Sequence, residues 1–114
     1  MYRIPHAFMF TCILSAIILL SVAFLWHVPL LLTLILLVES GIMILLYMDR
    51  SDIYLFVACG LCGAMAESIA VFFGAWDYSR IDIIGIPIWL PILWGVAGIF
   101  IKRVDIKINQ FLKH

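Results

Sequence analysis

Apolar residues run along the chain in four long blocks divided by short polar breaks. The first, residues 7–26, carries no charge. The second, 29–48, opens on Pro29, a residue suited to a first helical turn, and stops at Asp49-Arg50-Ser51-Asp52. The third, 53–74, is followed by the polar run from Trp76 through Asp77, Tyr78, Ser79 and Arg80 to Asp82. The fourth, 84–101, holds Pro87 and Pro91 in its first half and ends at Lys102-Arg103. About 20 apolar residues cross a hydrocarbon core of about 30 Å, so each block predicts a transmembrane helix. Short connections make neighbours antiparallel. The pattern therefore predicts an all-α, integral membrane four-helix bundle with up-down topology and short loops, forming a single domain over residues 1–114. In the tail, 102–114, Val104, Ile108, Phe111 and Leu112 fall at helical spacing opposite Asp105, Lys107 and Lys113. That stripe predicts a short amphipathic helix on the inner leaflet, a solvated end being the simpler alternative. Ser21-Val22-Ala23 resembles a signal-peptidase site, but the apolar run is long for a signal peptide.

Composition sharpens the class. The chain is 67% apolar and 12% charged, against roughly 45–50% and 25% in soluble domains, and its mean hydropathy is +1.23. This excludes a soluble globular enzyme and a disordered tail. A formal net charge of zero without a basic patch excludes a nucleic-acid-binding module. Charge placement orients the bundle. Arg3, Arg50, Lys102, Arg103, Lys107 and Lys113 fall on one side, and Arg80 alone on the other. Lys and Arg mark the cytoplasmic side, so both termini are expected in the cytoplasm of a cell or cytoplasmic membrane. Trp26, Trp76 and Trp89 would mark the outer interface, and Tyr47 and Tyr54 the inner one.

Two carboxylates lie inside spans, Glu39 and Glu67. Each precedes a serine (Ser40, Ser68) and lies ten residues before an aspartate, Asp49 or Asp77, so the arrangement recurs at a 28-residue offset. Internal duplication and chance both account for it. Ten residues at 1.5 Å each is about 15 Å, half the hydrocarbon thickness. Both glutamates are therefore expected near the midplane, where an ionised carboxylate costs roughly 2.5–3.5 kcal/mol on insertion scales. No span holds a Lys, Arg or His partner, which favours the protonated acid. A proton- or cation-linked site and a neutral interhelical hydrogen bond remain open for each.

The third span is rich in small residues. Cys59, Gly63 and Glu67 share one stripe, Ala66, Ala70 and Gly74 another, and Gly60 lies beside them. Small-xxx-small stripes allow close helix approach, and this predicts the third helix as the packing centre. Cys59 and Cys62 form a CxxC, read here as packing rather than redox or zinc chemistry, since zinc needs four ligands. His6, His27 and His114 lie outside the spans, which argues against haem or a di-iron site. No metal and no cofactor is expected. Residues 76–94 hold three tryptophans and two prolines. Trp76, Tyr78, Trp89 and Trp94 are the ligand-site candidates, forming either a pocket open to the outer leaflet with Glu67 at its floor or an interfacial segment packed on the bundle.

The same segment, Glu67-Ser68, Gly74-Ala75-Trp76-Asp77-Tyr78 and Gly85-Ile86-Pro87-Ile88-Trp89-Leu90-Pro91-Ile92-Leu93-Trp94-Gly95, resembles the ES…GxWxY…GIPxWLPxxWG pattern of small four-span membrane proteins. The resemblance covers roughly the last half of the chain and implies fold and location but no activity. A fainter similarity is to membrane-embedded carotenoid-biosynthesis proteins, with Glu67, Trp76, Tyr78 and Pro87 at the matching positions. The chain lacks the acidic pair that carotenoid cyclases carry after their proline. It also resembles small multidrug transporters in size and span number, without their glutamate in the first span.

Three function classes follow. The first is a non-enzymatic accessory or assembly subunit of a larger membrane complex, partnered by other membrane subunits or by itself. The second is a proton- or cation-coupled carrier using Glu39 and Glu67. The third is an isoprenoid-like lipid binder or enzyme using Glu67 and the tryptophan-rich fourth span. Membrane lipid is the expected surrounding in every case.

Overall fold

The computed structural model describes residues 6–78 and 85–113. Four helices follow one another: α1 (Ala7–Leu25), α2 (Pro29–Tyr47), α3 (Arg50–Phe72) and α4 (Leu90–Leu112). The fold is all-α, and α1, α2 and α3 are each long and apolar enough to cross a membrane. Arg3, Arg80, Asp82, Ile84 and His114, used in the sequence reading, lie outside the described residues.

The helix ends follow from local chemistry. Pro29 occupies the first turn of α2, and α2 closes on Met48 in the left-handed region, φ 54°. Asp49 caps α3, accepting from the Ser51 amide at 2.9 Å and its hydroxyl at 2.7 Å, while Asp52 faces the positive end of the helix dipole. Three hydroxyls in α1 and α2 bond within their own helices. Thr11 donates to the Ala7 carbonyl (2.8 Å), Ser15 to Thr11 (2.8 Å) and Thr33 to Pro29 (2.7 Å). This leaves no unpaired hydroxyl among those three where water is scarce.

The centre of the bundle is α4, a correction to the expectation for the third helix. The chain forms two helical hairpins, α1–α2 and α3–α4, and α4 also packs on both α1 and α2. The core gathers Ile18 of α1, Leu32, Leu36 and Met43 of α2, and Ile99 of α4, all at most 1% exposed. The small residues of α3 serve one neighbour rather than several. A Cβ at Gly63 would overlap the Trp94 ring, and one at Gly60 would lie 2.9 Å from the Pro91 carbonyl oxygen. The approach is reciprocal, since a Cβ at Gly95 would strike Phe56 and one at Gly98 would strike Cys59. Of the other small positions, Ala66 is exposed, Ala70 is half-buried, and Gly74 is exposed beyond the helix with open space where a Cβ would stand.

The fourth helix departs most from the expected span. It starts at Leu90, not near residue 84, and residues 85–89 are non-helical. The prolines are the cause. Pro91 suits a first turn, because further into a helix its ring would clash with the carbonyl four residues back, and Pro87 disfavours a helical Ile86. Residues 73–78 and 85–89 lie outside the helices, so the described part of the α3–α4 connection already exceeds the short loop expected. The apolar part of α4, residues 90–101, rises only about 18 Å. Ile86 and Pro87 are fully buried ahead of it and Trp89 is 7% exposed. At the other end the tail continues α4 as one helix to Leu112 rather than forming a separate leaflet helix. Residues 102–112 contain no glycine or proline to stop it.

A four-charge cluster ties three helices together. Lys102 Nζ donates to Asp49 Oδ2 at 3.2 Å, Ser51 Oγ at 2.7 Å and Asp52 Oδ1 at 2.7 Å. Arg103 pairs with Asp52 and, at 3.3 Å, with Asp49, and its guanidinium carbon sits 3.8 Å above the Tyr47 ring. Asp52 is fully buried and Arg103 is 7% exposed. Ser51, then Lys102, hold the Asp49 carboxyl well below the usual carboxylate range. That contribution is present above the ordinary Asp value and is lost as pH falls below it.

Removing one member of a buried ion pair typically costs about 3–5 kcal/mol, whereas replacing both by apolar groups costs far less. Arg103→Met is therefore expected to lower unfolding stability in mixed micelles markedly, and Asp52→Leu/Arg103→Met to lower it by less than the sum of the single changes. Additive losses would show that the two side chains act independently. Gly63→Leu is expected to cost about 1–3 kcal/mol by overpacking, while Gly41→Leu, with open space around it, should be tolerated. Equal stability of the two variants contradicts the close α3–α4 contact.

Candidate functional site

The end of α3 builds a polar node. Gly74 adopts a left-handed conformation, φ 83°. Its amide donates to the Val71 carbonyl at 3.0 Å and the Ala75 amide to Ala70 at 2.9 Å. These two bonds form a Schellman cap, which turns the chain back over the last turns of α3. Trp76 and Tyr78, two residues apart, then reach Glu67. Trp76 Nε1 donates to Glu67 Oε2 at 2.8 Å and Tyr78 Oη donates to the same oxygen at 2.6 Å. Asp77, between them, is exposed. No donor among the described residues meets Glu67 Oε1.

Glu39 and Glu67 do not share a depth, contrary to expectation. Glu39 lies near the middle of α2, whereas Glu67 is five residues from the last residue of α3, a rise of about 7.5 Å. The sequence reading measured from Asp77, but the helix stops at Phe72 and the chain folds back. Nor is either glutamate without a partner. Glu39, 8% exposed, has Oε2 3.3 Å from Ser21 Oγ on α1, and that hydroxyl also lies 2.9 Å from the Ile17 carbonyl. Serine has one proton, which the Ser21 hydroxyl gives either to Glu39 or to the Ile17 carbonyl. Glu39 Oε1 is buried with no hydrogen-bond partner among the described residues.

The node opens onto a cleft of about 720 Å³ between α1 and α4, within the range of small-molecule sites. Cys12, Leu19 and Val22 form one wall and Leu93, Ala97 and Phe100 the other, with Glu67, Tyr78, Trp89 and Trp94 also in the lining. From Cys12 to Val22 the cleft follows α1 for about 15 Å. Among the described residues Glu67 is the one carboxylate in the lining, and no Lys, Arg or His joins it. The Trp89 indole N–H is buried without a hydrogen-bond partner among the described residues.

Five of the six sequence candidates therefore converge: Glu67, Trp76 and Tyr78 in one hydrogen-bonded node, Trp89 and Trp94 on the adjoining cleft. Glu39 stands apart on the α1–α2 interface. Sequence reasoning missed the α1 wall, because nothing in a uniformly apolar helix marks which face lines a cavity. It also missed Gly95 and Gly98, whose three-residue spacing on the fourth span was the available signal. Among the described residues no group of His, Cys, Asp and Glu could hold a metal ion. The three cysteines are free thiols: Cys62 is exposed and Cys59 packs against Gly98. No protein-family model, curated protein or solved structure matches the chain.

Burial first, then the Glu67 carboxyl, push the Tyr78 phenol up to about 12 from its usual 10, with Trp76 opposing. A group whose folded value is raised stabilises the fold below its unfolded value. That stabilisation is present below pH 10 and is lost as pH rises from 10 through 12. Phenolate absorbance, taken as the difference between the native chain and Tyr78→Phe, is expected to titrate near the upper of these values. A midpoint at the ordinary tyrosine value contradicts the Tyr78–Glu67 bond.

Proposed function

We propose that this is an integral membrane protein whose α1–α4 cleft binds a lipid-like amphiphile, with its tail along the helices and its polar end at Glu67. One observation carries the reading: an apolar cleft beside the helices ends on a carboxylate held by Trp76 and Tyr78. The proposal takes α4, with the buried segment before it, as a fourth crossing and both termini as cytoplasmic. Lys and Arg gather at the Asp49–Asp52 end of the bundle and beyond it along α4, which supports that orientation. The node then lies toward the outer leaflet. The carrier reading is less well supported, because Glu39 bonds Ser21 and does not line the cleft that Glu67 faces.

The accessory-subunit reading keeps one observation of its own. Ala58, Cys62 and Ala66, four residues apart, form an exposed small-residue stripe on α3. Such a stripe suits another transmembrane helix.

A long-chain alkyl probe bearing a diazirine in its tail, added to the protein in bilayers, separates these readings. Labelling is expected on α1 and α4 around Leu19 and Leu93, and Ala97→Phe, which fills the cleft, should reduce it several-fold without moving label elsewhere. Label spread evenly over the exposed faces of α2 and α3, and unchanged by Ala97→Phe, contradicts the cleft as a lipid site.

A further inference from the structure

The polar end of the cleft restricts what the amphiphile carries. Among the described residues its only lining carboxylate is Glu67, and no Lys, Arg or His lies in the lining beside it. Glu67 Oε2 already takes two neutral donors, Trp76 and Tyr78. Oε1 meets no donor among the described residues and is not among the buried unpaired atoms, so it remains open to an incoming group. A head with acceptors alone, an anionic head included, would leave Oε1 unpaired. A hydroxyl satisfies it weakly, and an ammonium satisfies it with a charge-assisted bond. The aromatic residues of the lining, Tyr78, Trp89 and Trp94, add ring faces, which attract cations more strongly where water is scarce.

We infer that the cleft selects an amphiphile with a cationic amine head, the ammonium pairing with Glu67 Oε1 among the aromatic rings and the alkyl chain lying between α1 and α4. This rests on the cleft being a lipid site, as proposed above. The ammonium belongs to the amphiphile rather than to a soluble amine, because the lining away from Glu67 is almost wholly apolar over about 15 Å of α1 and a short amine would leave it uncovered.

The test uses three diazirine probes with the same twelve-carbon chain and an amine, an alcohol or a carboxylate head, in neutral phosphatidylcholine bilayers. The amine probe is expected to label the cleft peptides of α1 and α4 about tenfold more than the alcohol, and the carboxylate probe least. Glu67→Gln retains an acceptor for Trp76 and Tyr78 and should bring amine labelling down to the alcohol level. The three-probe comparison on the native chain stands without the variant. Equal labelling of the cleft by all three heads overturns the amine inference and leaves the lipid site intact. No cleft labelling by any probe overturns the lipid site and the inference together. Free ethanolamine displacing the amine probe as well as dodecylamine does would show a soluble amine as the ligand and overturn the amphiphile.

Discussion

The structure depends on one constraint: backbone polar groups away from water must be satisfied or covered. The fourth apolar block reads as long enough to cross a bilayer, but Pro91 confines its helix to Leu90 onward. Its apolar helical part is then only about 18 Å long. Residues 85–89 ahead of it are not helical, and Ile86 and Pro87 are fully buried. That burial requires α3 and α4 to lie close together. The glycines supply the closeness, Gly60 and Gly63 receiving Pro91 and Trp94 while Gly95 and Gly98 receive Phe56 and Cys59.

From this pairing the remaining architecture follows. With α3 engaged on one side of α4, the other sides meet α1 and α2. The contact with α1 is looser, and the cleft lies there. At one end of α4, Lys102 and Arg103 join Asp49, Asp52 and Tyr47 in a cluster that fixes the axial register of α4 against α3 and α2. At the other end the Schellman cap at Gly74 returns the chain over α3 and sets Trp76 and Tyr78 on Glu67. Packing and register thus both involve a fourth helix whose apolar part starts late, at Leu90.

The four helices were legible in the sequence because each apolar block is long, and α1 and α2 end within one residue of the expected boundaries. The polar candidates were legible too. Trp76, Tyr78, Trp89 and Trp94 are too many aromatics for interfacial anchoring, and all four lie at the node or cleft. Depth was less legible. The ten-residue spacing to Asp77 overstates the helix beyond Glu67, and Gly74, the glycine of the cap, was the signal that α3 stops near Phe72. Close packing was legible in kind but not in direction. A row of small residues says that some helix comes near, whereas Gly63 meets Trp94 only because α4 is displaced by its prolines. Lys102 and Arg103 were read as topological charges, and their pairing with Asp49 and Asp52 depends on a register that hydropathy does not encode.

The central claim is that Glu67 is an acceptor held jointly by Trp76 and Tyr78. The chain has two glutamates, so infrared spectra of protein carrying ¹³C-carboxyl glutamate in bilayers resolve them, with Glu67→Gln assigning the bands. Two donors on one oxygen predict a Glu67 carboxyl band that shifts on Tyr78→Phe and again on Trp76→Phe, while the Glu39 band stays in place. A Glu67 band unmoved by either substitution would contradict the shared acceptor.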